Sequence, residues 1–206
     1  MKIAAVVTSC LLIITGSTFA GTTPAPSAPA PDVSSSDAGW YFGLNGGALW
    51  LDDASVGGAN VEFDTGWGAH GVLGYRYGNG LSAGLSAGYL GAELDSTGVS
   101  GDLHMVPITV NGAFTIRLIE NLHFYLGAGL GIAWSELDLN SIGGSQIDAS
   151  TDDWNFVWQA RAGFSYAVSD ALSVNIGYRF VNVLDGVGGF DDARGHMAEA
   201  GLKFRF

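Results

Sequence analysis

Cysteine is almost absent from this chain: the only one among 206 residues is Cys10, inside an apolar N-terminal run. Disulfides therefore cannot hold the rest together, and stability has to come from backbone pairing and packing. Proline is scarce as well, five residues against 32 glycines, which excludes collagen and Pro-rich disorder for the chain as a whole. Positive charge is the third shortage. Eight Lys and Arg against twenty Asp and Glu give a formal charge of −12, and the eight are scattered, so no basic groove for nucleic acid can be read from them. Long hydrophobic runs are missing too. Past the N-terminus nothing reaches the 18 or so consecutive apolar residues of a membrane helix, although 48% of the residues are hydrophobic and 14% charged, enough apolar material for one ordinary core.

What the chain does have is alternation, clearest from Asp152 to Phe180. Trp154, Phe156, Trp158, Ala160, Ala162, Phe164 and Tyr166 fall on every second position, with Asn155, Gln159, Arg161, Gly163 and Ser165 between them. A period of two is a strand period. After Ser169-Asp170 it resumes with Leu172, Val174, Ile176, Tyr178 and Phe180, interleaved with Ser173, Asn175, Gly177 and Arg179, which predicts a hairpin. Aromatics at both ends of an apolar strip about ten residues long, with arginine, glycine and small polar residues on the other face, mark a strand that faces lipid outside and a polar barrel interior inside. A secreted β-sandwich or lipocalin-like barrel would instead hide its apolar faces and show Arg161 and Arg179 to water.

The N-terminus reads as an export signal over 1–20. Lys2 is the positive end, Ile3 to Ile14 the short apolar run, and Thr18-Phe19-Ala20 presents small residues for cleavage before Gly21. Val7-Thr8-Ser9-Cys10 looks superficially like a lipoprotein cleavage box, but a cut there would leave almost no apolar segment before it. Residues 21–38 form a Pro/Ala/Ser linker expected to be disordered, and 39–206 the barrel domain.

The alternation repeats eight times, predicting an all-β fold: an eight-stranded antiparallel up-and-down transmembrane barrel. The expected strands are Trp40 to Leu51, about Val61 to Tyr77, Leu81 to Leu94, about His104 to Leu118, Leu122 to Asp138, the two of the hairpin above, and His196 to Phe206. Ser82, Gly84, Ser86 and Gly88 should face inward. Pro107 interrupts the fourth strand, and a bulge is the expected accommodation. Connections alternate between tight turns, such as Tyr77-Gly78-Asn79-Gly80, and longer acidic, Gly-rich loops at 52–60, 95–103, 139–152 and 184–195. Short turns should face the periplasm and long loops the outside. Closure leaves no sheet edge, which lipid demands.

Candidate chemistry is sparse. His70, His104, His123 and His196 fall on different strands without metal-ligand spacing, and no hydrolase, metalloprotease or redox motif occurs. Asp52, Asp53, Asp148, Asp152, Asp153, Asp185, Asp191 and Asp192 could face divalent cations at a lipopolysaccharide surface, yet solvated acidic loops are the better reading. No catalytic residue, metal site or cofactor is therefore assigned. Counting up from the periplasmic ends, Arg161, Arg179 and Glu199 reach similar heights with inward parity on successive strands. This predicts a lumen charge cluster with Glu199 held between Arg179 and Arg161, and His70 and Asn45 within reach, closing the lumen at mid-height.

The segments FDTGWGAHGVLGYRYGNG (63–80), FYLGAGLGIAW (124–134), FVWQARAGFSYAVSDALSVNIGYRF (156–180) and GLKFRF (201–206) resemble the small outer-membrane β-barrel family of Gram-negative bacteria, which includes opacity-type surface antigens and resembles the barrel of outer-membrane protein A. The resemblance covers about 39–206 and departs at Phe124, where many members carry proline. It implies an outer-membrane location, contact with lipid and lipopolysaccharide, and an assembly signal at Leu202, Phe204 and Phe206 read by the barrel-assembly machinery. It also implies a surface or structural role, through adhesion, a host or surface ligand, or envelope integrity. A narrow channel for small or apolar solutes is the alternative, disfavoured because eight strands leave a lumen that side chains can fill.

Overall fold

The structure, a computed structural model, describes residues 38–52, 54–56, 59–61, 64–96, 99–142, 145–184 and 192–206. The export signal and nearly all of the linker fall outside these residues. In chain order the strands are β1 (Gly39–Leu51), β2 (Ala54–Val56), β3 (Ala59–Val61), β4 (Gly66–Arg76), β5 (Leu81–Ser96), β6 (Val99–Arg117), β7 (Leu122–Ile142), β8 (Ser145–Ala167), β9 (Leu172–Val183) and β10 (Ala193–Arg205). All except β2 and β3 pair antiparallel with their neighbours in sequence, and β1 pairs with β10, closing an eight-stranded barrel. Closure satisfies each strand's backbone groups on both sides, which is what allows the apolar face to sit in hydrocarbon.

The short turns follow local chemistry. Gly80 takes φ +83°, a left-handed conformation that glycine adopts without steric cost, and its amide donates to the Tyr77 carbonyl at 3.2 Å. Asn79 Oδ1 accepts from the Leu81 amide. At the turn between β8 and β9, Ser169 Oγ accepts from the Leu172 amide at 3.1 Å. Side chains thus supply the acceptors where the ladder ends.

Outward positions carry the apolar residues throughout. Val110 and Leu130 are 66% and 60% exposed in mid-strand. Rings cluster towards both ends of the barrel: Trp40 with Tyr75, and Phe124 with Phe164, near the short turns, and Trp67 with Tyr89, and Trp158 with Phe180, towards the other end. These are two aromatic girdles flanking an apolar band.

Three expectations need correction. First, the second barrel strand starts at Gly66 rather than Val61, because Ala59–Val61 folds back on Ala54–Val56 as a separate hairpin. Second, most of 95–103 and 139–152 is ladder rather than loop: β5 and β6 pair out to Ser96 and Val99, and β7 and β8 to Ile142 and Ser145. Backbone pairing needs no apolar face, so it continues past the point where the alternation fades. Third, Pro107 causes no bulge. The β5–β6 ladder pairs Ala87 with Ile108 and resumes with Leu90 opposite Met105 in the same register, while on its other side Pro107 pairs with Ala133. The missing amide is taken up by two skipped pairs on one edge, so no extra residue is required. The register shift of β6 falls instead between Ser100 and Gly101.

Candidate functional site

The interior is layered, and only part of it is polar. Between mid-height and the short turns lies a cavity with Tyr41, Tyr125, Arg161 and Lys203 among its lining residues. At mid-height the inward side chains of β4, β9 and β10 meet. Arg179 is 2% exposed, and its Nε lies 3.2 Å from Glu199 Oε2. His70 Nε2 faces two donors, the Arg179 guanidinium and Asn45 Nδ2, the latter at 3.2 Å. That nitrogen is therefore the acceptor, leaving the ring proton on Nδ1, which points towards Glu199 Oε2 at 3.9 Å. The buried pair is thus braced by a neutral histidine and an amide.

The other wall of this layer is a neutral network. Ser86 and Thr109 hydroxyls lie 2.8 Å apart, Asn111 Nδ2 donates to Ser86 Oγ at 2.9 Å, and Gln159 Nε2 donates to Thr109 Oγ1 at 2.9 Å and to the Asn111 side-chain oxygen. Gln159 on β8 reaches β6 across β7. It can do so because β7 presents Gly129 there, where any Cβ would overlap the Asn111 side-chain oxygen.

Arg161 stands where inward parity put it, in the same cavity as Glu199. The partners of Glu199 in the structure are Arg179 and His70, and among the described contacts no ion pair joins it to Arg161. The register explains this. Arg161 and Arg179 are direct cross-strand partners of like charge, and Arg161 lies over Gly127, where an added Cβ would come within 3.1 Å of its Nε.

Above the polar layer the expectation of a polar interior fails for most side chains. Leu49, Leu90, Leu103, Met105, Val157 and Met197 are buried against one another with Ala133, Leu137, Val181 and Val183, so that the half of the lumen away from the short turns is a largely apolar core in which Ser135 and Asn155 are buried polar exceptions. The signal was in the sequence: the outer ends of strands read Ala-Leu-Trp-Leu (48–51), Phe-Val-Trp (156–158) and Phe-Val-Asn-Val (180–183), apolar at both parities, whereas the inner ends alternate.

The remaining singled-out residues face outward or lie at the ends. His104 Nδ1 bonds Tyr89 Oη at 2.6 Å. His196 bonds Tyr178 through Nδ1, and through Nε2 it meets Asp52 Oδ1 at 3.1 Å. His123 sits beside the short turns, on β7 opposite Arg117. Asp152 accepts from Trp134 Nε1 and Asp153 from the Trp154 amide, while Asp192 immediately precedes β10. No cluster of His, Cys, Asp or Glu able to hold a metal occurs among the described residues. Asp53, Asp185 and Asp191, and the side chain of Asp148, lie outside what the structure describes. Leu202, Phe204 and Phe206 line the outward face of the last strand.

A closed eight-stranded barrel with girdled apolar walls is matched by the family model described as outer membrane protein beta-barrel domain, over residues 16–206. The chain belongs to that family. Its place is accordingly the outer membrane of a Gram-negative cell, with lipid against its walls. Outer membrane protein PagN of Salmonella typhimurium is 30% identical over 87 residues, a match covering 41% of this chain and 36% of that relative's length. Neisserial surface protein A superposes with a TM-score of 0.61 at 22% identity, covering 81% of this chain and 97% of that one. The outer membrane protease OmpT of Escherichia coli gives a TM-score of 0.51 at 9% identity, covering 82% and 97%. These likenesses to solved structures concern the fold alone. Within the family, this chain is a barrel whose lumen is cationic towards the short turns and largely apolar towards the other end.

Proposed function

We propose that this outer-membrane barrel is a surface anchor: it holds its long extracellular hairpins at the cell surface for adhesion or envelope integrity, and it neither conducts nor catalyses. The observation that carries this reading is the buried core of Leu49, Leu90, Met105, Val157, Val181 and Met197 across the outer lumen. Packed apolar side chains exclude water, and a pore for ions needs a continuous wet path. The Arg179–Glu199–His70 layer beneath adds a second obstruction. The outward Tyr89–His104 and Tyr178–His196–Asp52 contacts are read as polar anchors in the outer girdle. The partners that suit such a protein are lipopolysaccharide around the outer girdle, the barrel-assembly machinery reading Leu202, Phe204 and Phe206, and a host or surface ligand for the hairpins.

Single-channel recording of the purified protein in planar bilayers tests this. The expected trace stays at the bare-membrane baseline across both polarities. Discrete, reproducible openings would favour the narrow channel instead.

A further inference from the structure

Of the eight Lys and Arg in the chain, five come together inside the barrel: Arg76, Arg161, Arg179, Lys203 and Arg205. Glu199 lines the same region as Arg161 and Lys203, and it is engaged by Arg179 at 3.2 Å. Two adjoining cavities lie below that pair. The deeper is lined by Tyr41, Asn175, Tyr125, Arg161 and Lys203 along with Glu199. The shallower, towards the short turns, shares Tyr41 and Lys203 and adds Arg76, Arg205, Ser165 and Ser173, with no acidic side chain among its lining residues. Lys203 Nζ sits between two rings, 5.4 Å from the Tyr41 centroid and 5.8 Å from that of Tyr125, so ring faces stand where a carboxylate would be expected. Arg161 Nε is buried without a hydrogen-bond partner.

We propose that this inner half of the lumen is a dead-end binding chamber for a small oxyanion of phosphate size, entered from the periplasm. Arg161 and Lys203 are its charged ligands, Tyr125 and Asn175 are neutral donors beside them, and Arg76 and Arg205 line the mouth. Buried cations are costly without a counter-charge, and a narrow, low-dielectric cleft of one sign concentrates the opposite ion. A guanidinium suits an oxyanion because its donors match the oxygens in pairs. The apolar core above stops the ion from passing through, so the chamber binds rather than conducts. The proposal rests on the closed lumen, but its test reads binding and not current, so the two can fail separately.

The experiment is calorimetric titration of inorganic phosphate into the full-length protein purified from outer membranes in non-ionic detergent, with chloride holding the ionic strength constant. Saturable binding of one phosphate per barrel is expected. Lys203→Met and Arg161→Gln should each weaken it about tenfold or more, and Arg194→Gln, at the opposite end, should leave it unchanged. If Lys203→Met fails to give the folded, heat-modifiable band on gels, Arg161→Gln carries the test alone. Absence of saturable binding, binding that survives Arg161→Gln, or equal weakening by Arg194→Gln would each overturn the proposal.

Discussion

Arg179 and Glu199 are the residues whose removal should be felt most. Both are almost fully buried, and the carboxylate has Arg179 on one side and the His70 ring on the other. Truncating one partner leaves an uncompensated buried charge, so Glu199→Ala should cost about 3–5 kcal/mol. The double variant Glu199→Ala with Arg179→Met should lose clearly less than the sum of the two single losses. Equilibrium urea unfolding in micelles, followed by tryptophan fluorescence, reads both. Additive losses would mean that the two charges are hydrated separately. Conductance should not change in any of these variants, since the apolar core lies above the pair. The neutral network makes a different demand. Gly129→Ala should displace Asn111 and so break its contact with Gln159, lowering stability even though a glycine in a strand is ordinarily improved by a side chain.

At the scale of the strand, the two faces should respond to charge according to depth. Leu130, 60% exposed in mid-β7, faces the centre of the hydrocarbon, and Leu130→Arg should cost about 2–4 kcal/mol. Ile119, in the turn after β6 and 64% exposed, lies at the interface, where Arg should cost about 0–1 kcal/mol. Similar penalties at the two sites, measured by refolding into lipid vesicles, would contradict the placement of the band. The hairpins make a complementary prediction. Cysteine introduced at Asp153 should react with a membrane-impermeant maleimide on intact cells, and cysteine at Asn79 or Ser169 should react only after lysis. The reverse pattern would invert the barrel.

For the whole molecule the governing fact is closure, since a barrel lacking one strand would bare two edges in lipid. Closure depends on β10, which pairs with both β1 and β9 and carries the proposed assembly signal. Phe206→Ala, whose side chain is largely exposed at the chain end, should leave the refolded barrel's stability little changed while lowering the amount assembled in the outer membrane of living cells. Quantifying heat-modifiable protein in membrane fractions checks this. An undiminished yield would remove the C-terminal aromatic from the assembly signal.

Alternation by itself determined the all-β class, the eight barrel strands and which face of each meets lipid. Each of these follows from a period of two and from the rule that backbone in hydrocarbon must be paired. The inward parity of Arg161, Arg179 and Glu199 was equally legible, because parity is a local property. Which of them touch was decided by register and tertiary structure. A ladder sets Arg161 against Arg179 as a like-charge pair, and closure of the sheet brings His70, 109 residues before Arg179, onto its guanidinium. The ends of strands also escaped the sequence, since pairing continues where hydrophobicity no longer alternates and Pro107 is absorbed by a gap in one ladder. The strand ends that are apolar at both parities announced a buried apolar core, but the gathering of five scattered cations is a product of closure. Parity says that a side chain points inward, but only the curvature of the closed sheet decides which inward side chains share a layer.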